Sequence, residues 1–161
     1  RWVPVACRSE ARTAMSVHYQ VTFSTADPHG LAAFYAEAVG YVIEDHSTLI
    51  TSLLEQGQTT EAEVETVGGR LRWRKYAAIR DPEGPYDEFS GTGRGGRMLF
   101  QDEPTPKTAK NRLHLDLHVE DRQAVVEKLT KLGARPLWEA SVGPMSWVTM
   151  ADPDGNEICV S

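Results

Sequence analysis

The chain has 161 residues, 40% hydrophobic and 25% charged, with a formal net charge of -6. This is a globular composition, with room for one domain or two very small units sharing a core. The acidic balance excludes general nucleic-acid binding, which draws on a basic face, and no run reaches the roughly 18 consecutive apolar residues of a membrane-spanning helix.

In chain order, residues 1–15 belong to nothing downstream and read as an N-terminal extension, with Met15-Ser16 just before the first patterned segment. From Val17 to Ser24 the residues alternate, with Val17, Tyr19, Val21 and Phe23 on one face, which predicts a strand. Asp27-Pro28 supplies an N-cap and a first-turn proline. Leu31, Phe34, Tyr35 and Ala38 then recur at helical spacing as far as Gly40. The stretch at about 47–72 carries Leu49, Ile50, Leu53 and Leu54 at helical spacing and reads as an inserted helix. Tyr76–Ile79 and Met98–Phe100 read as strands, joined through an Asp81-Pro82-Glu83-Gly84 turn. Between them, residues 85–96 hold four glycines and read as a flexible hairpin tip. Gly93-x-Gly95 is not a phosphate loop, because no helix follows it.

The same grammar then returns. Leu113, Leu115, Leu117 and Val119 alternate against His114, Asp116, His118 and Glu120. Asp121 caps a helix with Val125, Val126, Leu129 and Leu132, Gly133 closes it, and Asp152-Pro153-Asp154-Gly155 repeats the turn. The fold class expected is α+β, made of two β-α-β-β-β modules: residues 16–104, with the helical insertion and the Gly-rich hairpin, and residues 105–161.

The paired units, the His-bearing strand opening the second, the run from Pro106 to Leu117 and the closing Asp152-Pro153-Asp154-Gly155-Asn156-Glu157-Ile158 resemble the vicinal oxygen chelate superfamily. The run from Pro106 is similar to glyoxalase-like proteins (glyoxalase/bleomycin resistance/dioxygenase) of the actinobacterial type. The resemblance covers about residues 17–161 and implies paired curved sheets around a cavity, with helices outside. Metal-dependent members hold a divalent cation through the opening and closing strands, where it stabilises a developing enolate or oxyanion; other members only bind ligands. Carried over by position, the resemblance places His114, Gln20, Gln101 (or Leu99) and Cys159 at the ligand positions. Of these, His114 and Gln20 are the metal candidates. Cys159 stands where a glutamate is expected, and Glu157 lies two residues away on the same face. The set lacks the carboxylate that glyoxalase chemistry uses as ligand and base.

His114, Asp116 and His118 share one strand face, about 6.8 Å apart at alternate positions. They are read either as a polar cavity wall or as the His-x-Asp part of an iron-type site. Asp116 has Arg112 or Arg97 as a candidate ion-pair partner. Cys159 is read as a small buried hydrophobe, with a reactive thiol or soft ligand as alternatives. Trp73, Trp138 and Trp147, with Tyr76, Tyr86, Phe89 and Phe100, are candidate pocket aromatics, with ordinary core as the alternative, above all for Trp147; Phe100 and Trp138 are the ones most expected to line the cavity. His29 and His46 read as surface residues. Asp81, Asp152 and Asn156 read as turn residues without chemistry.

The expected function is therefore the binding of an aromatic or hydrophobic metabolite between the modules, at a degenerate metal site and without a cofactor. A divalent-metal lyase, isomerase or dioxygenase is the alternative, and a non-catalytic interaction module the third reading. The two cysteines, Cys7 and Cys159, make no disulfide framework and predict a reducing, cytoplasmic setting. Beyond the small molecule, a homodimer is the partner expected; a nucleic acid or a membrane is not.

Overall fold

The structure, a computed structural model, describes residues 18–161, so the readings of the extension, of Cys7 and of Val17 fall outside it. The first module runs β1 (Val21–Thr25), α1 (Pro28–Val39), β2 (Val42–Ile43), α2 (Ser47–Glu55), β3 (Val64–Val67), β4 (Arg70–Trp73), β5 (Tyr76–Arg80) and β6 (Met98–Asp102). The second runs β7 (Leu115–Leu117), α3 (Arg122–Lys131), β8 (Arg135–Val142), β9 (Met145–Ala151) and β10 (Glu157–Val160). Among the described residues no helix is long and apolar enough to cross a membrane.

Two four-stranded sheets result, ordered β1-β6-β5-β2 and β7-β10-β9-β8. In each, the opening strand lies parallel to the closing one, and the other neighbours are antiparallel. The order within the second module repeats that of the first once the insertion is set aside.

Local chemistry explains the helices. The Asp27 carboxylate accepts from the Gly30 N–H at 2.9 Å, Pro28 opens α1, and Gly40 ends it at φ 73°. Asp121 repeats this at α3, accepting from the Ala124 N–H at 2.9 Å. α1 buries Leu31, Phe34 and Tyr35, and α3 buries Leu129. Strand alternation decides what they meet. Phe23, Phe100, Ala77 and Ile79 face them from the first sheet, and Leu115, Ile158, Met150 and Val148 from the second, in one continuous core. At its centre the Phe23 and Phe100 rings stack at 5.2 Å and Tyr35 lies 5.6 Å from Phe100. The Tyr35 hydroxyl donates to Asp152 Oδ2 at 3.0 Å, tying the first module's helix to the second module's turn.

Several sequence-based expectations change here. The alternation from Val17 and that from Leu113 outrun the strands they predict: Tyr19 is 85% exposed and Leu113 70% exposed. Pairing limits both strands, since β1 has a partner only from Val21↔Met98 and β7 only over Ile158–Val160. Alternation without a neighbouring strand leaves backbone groups to water. The insertion is a helix followed by an antiparallel hairpin, β3–β4, turned by Gly68 and Gly69 at positive φ. The Asp152 turn is also more than a turn. Asp152 is 3% exposed and accepts from the backbone N–H groups of Asp154 and Asn156 as well as from Tyr35.

Candidate functional site

Each sheet has a second face, turned away from the helices. In the second module, register fixes a row across it: Asp116 pairs with Cys159, Cys159 with Thr149, and Thr149 with Trp138. Side chains of directly paired residues stand on the same side of a sheet. His114 and His118 flank Asp116 at alternate positions, on that same side. This face opens into a cleft of 560 Å³ lined by His114, Asp116, His118, Cys159 and Ser161 at its floor and by Pro144, Met145 and Trp147 at its rim.

The floor is organised in pairs. His114 Nε2 lies 3.3 Å from Asp116 Oδ1, His118 Nδ1 lies 2.8 Å from Ser161 Oγ, and the Thr149 hydroxyl lies 3.4 Å from Cys159 Sγ. One ligand atom each from His114, Asp116 and Cys159 falls within 4.8 Å of the others. His114 also borders a second cleft of 380 Å³ at the seam between the modules, with Thr22, Ser24, Lys107, Asn111 and Glu157.

The corresponding face of the first module is partly closed. Gln20 lies beside Arg97, and Leu99, Ala78 and Glu44 continue the face toward β2. The Glu44 side chain is fully buried and accepts a fork from Arg97 at 2.8–3.0 Å. It also takes the Gly93 N–H at 2.7 Å and lies 3.2 Å from His46 Nε2. His46 Nδ1 in turn lies 2.5 Å from the Ser90 carbonyl. Burial by itself would raise the Glu44 carboxyl, but hydrogen bonds from His46, Arg97 and the Gly93 amide outweigh it and hold the group at about 2. Burial would likewise lower His46, yet its bonds to Glu44 and the Ser90 carbonyl raise it.

The Gly-rich segment expected to be a flexible tip is therefore tied down over the β2 side of this face. The approach is close enough to demand glycine: a Cβ on Gly91 would lie 2.2 Å from the Asp45 carbonyl oxygen, and one on Gly93 2.7 Å from Arg80 Cβ. His46, expected at the surface, is part of that closure.

The residues singled out in the sequence are distributed unevenly. His114, Asp116 and Cys159 come together, and Trp138 ends their row at 46% exposure. Gln20 is apart: its Oε1 accepts from the Arg97 guanidinium, and it lines neither cleft that His114 borders. Gln101 Nε2 donates to Ser24 Oγ at 3.4 Å. Phe100 is fully buried on the helix side of its sheet and offers no surface to a ligand; alternate parity from Leu99 and Gln101 turns it inward. Asp116 pairs with His114 rather than with Arg112 or Arg97.

A divalent cation, which the superfamily resemblance implies, does not fit a set shared between the modules. The Gln20 oxygen already receives a guanidinium, and Glu157 is held by Lys107 Nζ at 3.1 Å and the Asn111 N–H at 3.0 Å. Burial opposes the charge on Glu157, but those two bonds prevail and lower its carboxyl below the ordinary value. Sequence reasoning missed Met145 and Ser161, and favoured the core for Trp147 among its candidate pocket aromatics. Met145 and Trp147 precede Thr149 at alternate positions, so antiparallel pairing with the Cys159 strand was the signal that would have found them.

A family model described as a glyoxalase-like domain matches residues 20–161. No curated protein matches the chain. Among solved structures it is similar to a hypothetical protein from S. aureus, at 14% identity and a TM-score of 0.55, covering 91% of this chain and 94% of that one. It is also similar to a glyoxalase/bleomycin resistance protein/dioxygenase family enzyme from Burkholderia phytofirmans, at 15% identity and a TM-score of 0.52, covering 88% of this chain and 94% of that one. A possible glyoxalase from Bacillus cereus follows at 14% identity and a TM-score of 0.51, covering 91% of this chain and 98% of that one. At these identities the likeness is one of fold.

Proposed function

The chain belongs to the glyoxalase-like domain family, and on that premise we propose that it binds a small aromatic or hydrophobic metabolite in the open cleft of its second module. The observation carrying this reading is the division of that cleft into a polar floor, His114, Asp116, His118 and Ser161, and an apolar rim, Pro144, Met145 and Trp147. A flat molecule with one polar edge satisfies both parts: its ring stacks against Trp147 while the edge finds donors and acceptors below. The first module contributes less, because its Gly-rich loop occupies the β2 side of the equivalent face. The cleft volume of 560 Å³ suits one such molecule.

The reading is tested with 2-naphthol and 4-nitrophenol as probes, by titration and thermal shift on the full chain. Saturable binding that weakens at least about tenfold in Trp147→Ala, a loss of roughly 1.4 kcal/mol, is the expected result. Trp73→Ala, in the first module's hairpin, should bind as the unsubstituted protein does. Equal affinity in Trp147→Ala would remove the proposal.

A further inference from the structure

Residues 85–94 form a unit of their own. Within it the Asp87 N–H donates to the Thr92 carbonyl at 2.9 Å, the Gly91 N–H to the Asp87 carbonyl at 2.7 Å and the Arg94 N–H to the Pro85 carbonyl at 2.7 Å. The Arg94 guanidinium also pairs with Asp87 at 2.9 Å. Toward the sheet, the polar ties among the described residues are few. The Ser90 carbonyl meets His46 Nδ1 at 2.5 Å, the Gly93 N–H reaches Glu44 Oε1 at 2.7 Å, and the Arg80 guanidinium lies 3.9 Å from the Tyr86 ring centre. On the β6 side the unit is joined through Gly95, with open space where a Cβ would stand, and Gly96 at φ 63°. A stiff segment on a permissive joint, held by a few side chains, is built as a lid.

One of those side chains holds in a single charge state. Both His46 nitrogens face acceptors: Nδ1 the Ser90 carbonyl, and Nε2 a Glu44 oxygen at 3.2 Å. A carbonyl never donates, and Glu44, held at about 2, is ionised across the neutral range. Neutral imidazole has one N–H and one lone pair, so either tautomer sets a lone pair against an acceptor. Only imidazolium satisfies both partners. From this geometry we infer that residues 85–94 are a lid over the β2 side of the first module's outward face, closed by the protonated form of His46 and released when that ring loses its proton.

The surrounding charges set the sense of the switch. Glu44 and the adjacent Asp45 favour the cation. Arg97 opposes it, as does the positive end of α2, which starts at Ser47. His46 also borders a cleft of 390 Å³ with His29 of α1 and with Arg70 and Arg72 of β4. Those arginines are themselves paired, with Asp45 and Glu65, each at 2.7 Å, and His29 Nε2 lies 2.8 Å from the Trp73 carbonyl. Burial opposes the charge on His46, yet its bonds to Glu44 and the Ser90 carbonyl prevail and raise it above 6.5. The lid is therefore closed below 6.5 and opens as pH rises through the raised value. Opening uncovers Glu44, whose side chain is fully buried in the closed form. The first module then presents an accessible face, as the second does throughout.

This inference does not depend on the second module's cleft, and its test uses no ligand. On the ¹⁵N-labelled full chain, ring-nitrogen NMR reads the protonation of His46. Amide exchange, corrected for its intrinsic pH dependence, reads the lid at Gly93 and the matching second-module turn at Asn156, whose N–H donates to Asp152 at 2.8 Å. Both His46 nitrogens should carry protons below 6.5. Between about pH 5.5 and 8.5, protection at Gly93 should fall at least about tenfold while Asn156 holds. His46→Gln should remove the pH response at Gly93; the two readings on the unsubstituted chain stand without this variant. An unprotonated ring nitrogen below 6.5, constant protection at Gly93, an equal fall at Asn156, or a response that survives in His46→Gln would each overturn the inference.

Discussion

The two modules share a strand order, a capped helix and an Asp-Pro turn, yet they treat their outward sheet faces in opposite ways. The first buries an acid, Glu44, and surrounds it with Arg97, His46 and a loop amide. The second leaves His114 and Asp116 exposed, beside a half-buried thiol. The difference comes from the loop between β5 and β6, which is long and glycine-rich, whereas β9 and β10 are joined by a short turn. A duplicated scaffold can thus close one sheet face with buried charge and leave the other open.

That contrast predicts a graded set of effects. The largest follows from Glu44→Ala, which strands the Arg97 guanidinium in a side chain only 13% exposed. It should cost about 3–5 kcal/mol by chemical denaturation, while Asp116→Ala should change stability by less than about 0.5 kcal/mol. Similar losses in both would erase the distinction between the faces.

Glycines provide the next comparison. Gly91 and Gly143 both have positive φ, but only Gly91 faces backbone, at 2.2 Å from a built Cβ, while Gly143 has open space. Gly91→Ala should cost at least about 2 kcal/mol and Gly143→Ala about 1 kcal/mol. Urea midpoints at constant m-value would separate them.

Tyr35→Phe should cost about 1–2 kcal/mol by removing the one hydroxyl that bonds the buried Asp152 carboxylate across the modules. A loss under a few tenths would mean that the Asp152 turn is held by its own amides alone.

The smallest effect is a pH dependence. His46 is raised above its usual 6.5, so its contribution is fully present below that value and fades as pH rises through the raised one. Stability measured against pH should therefore fall on the alkaline side of 6.5 in the unsubstituted protein, and His46→Gln should flatten that limb. The Glu44 contribution has the opposite sense: it is present above 4.5 and lost only as pH falls toward about 2. An unchanged slope in His46→Gln would show that the loop is not held through the imidazole.

Much of the architecture was legible because it is local. Asp27 with Pro28, Asp121 with Gly133 and the repeated Asp-Pro turns each act within a few residues, and the structure contains both helices they bound. The site was legible only in part. His114 and Asp116 stand two residues apart on one segment, so their pairing could be read from the chain. Phe100, Gln20 and Trp147 could not be placed, because which face a strand turns outward depends on partners far away in sequence.

The sequence alone determined the duplication, the helix ends and the identities of the donors, since caps, turns and alternation are short-range chemistry. Only the tertiary structure decided that Gln20 faces Arg97, that Cys159 sits beside Asp116, and that the glycines of residues 85–96 cover Glu44. Those outcomes depend on strand register and on buried charge finding its partner, and both are set by segments that meet only when the chain is folded.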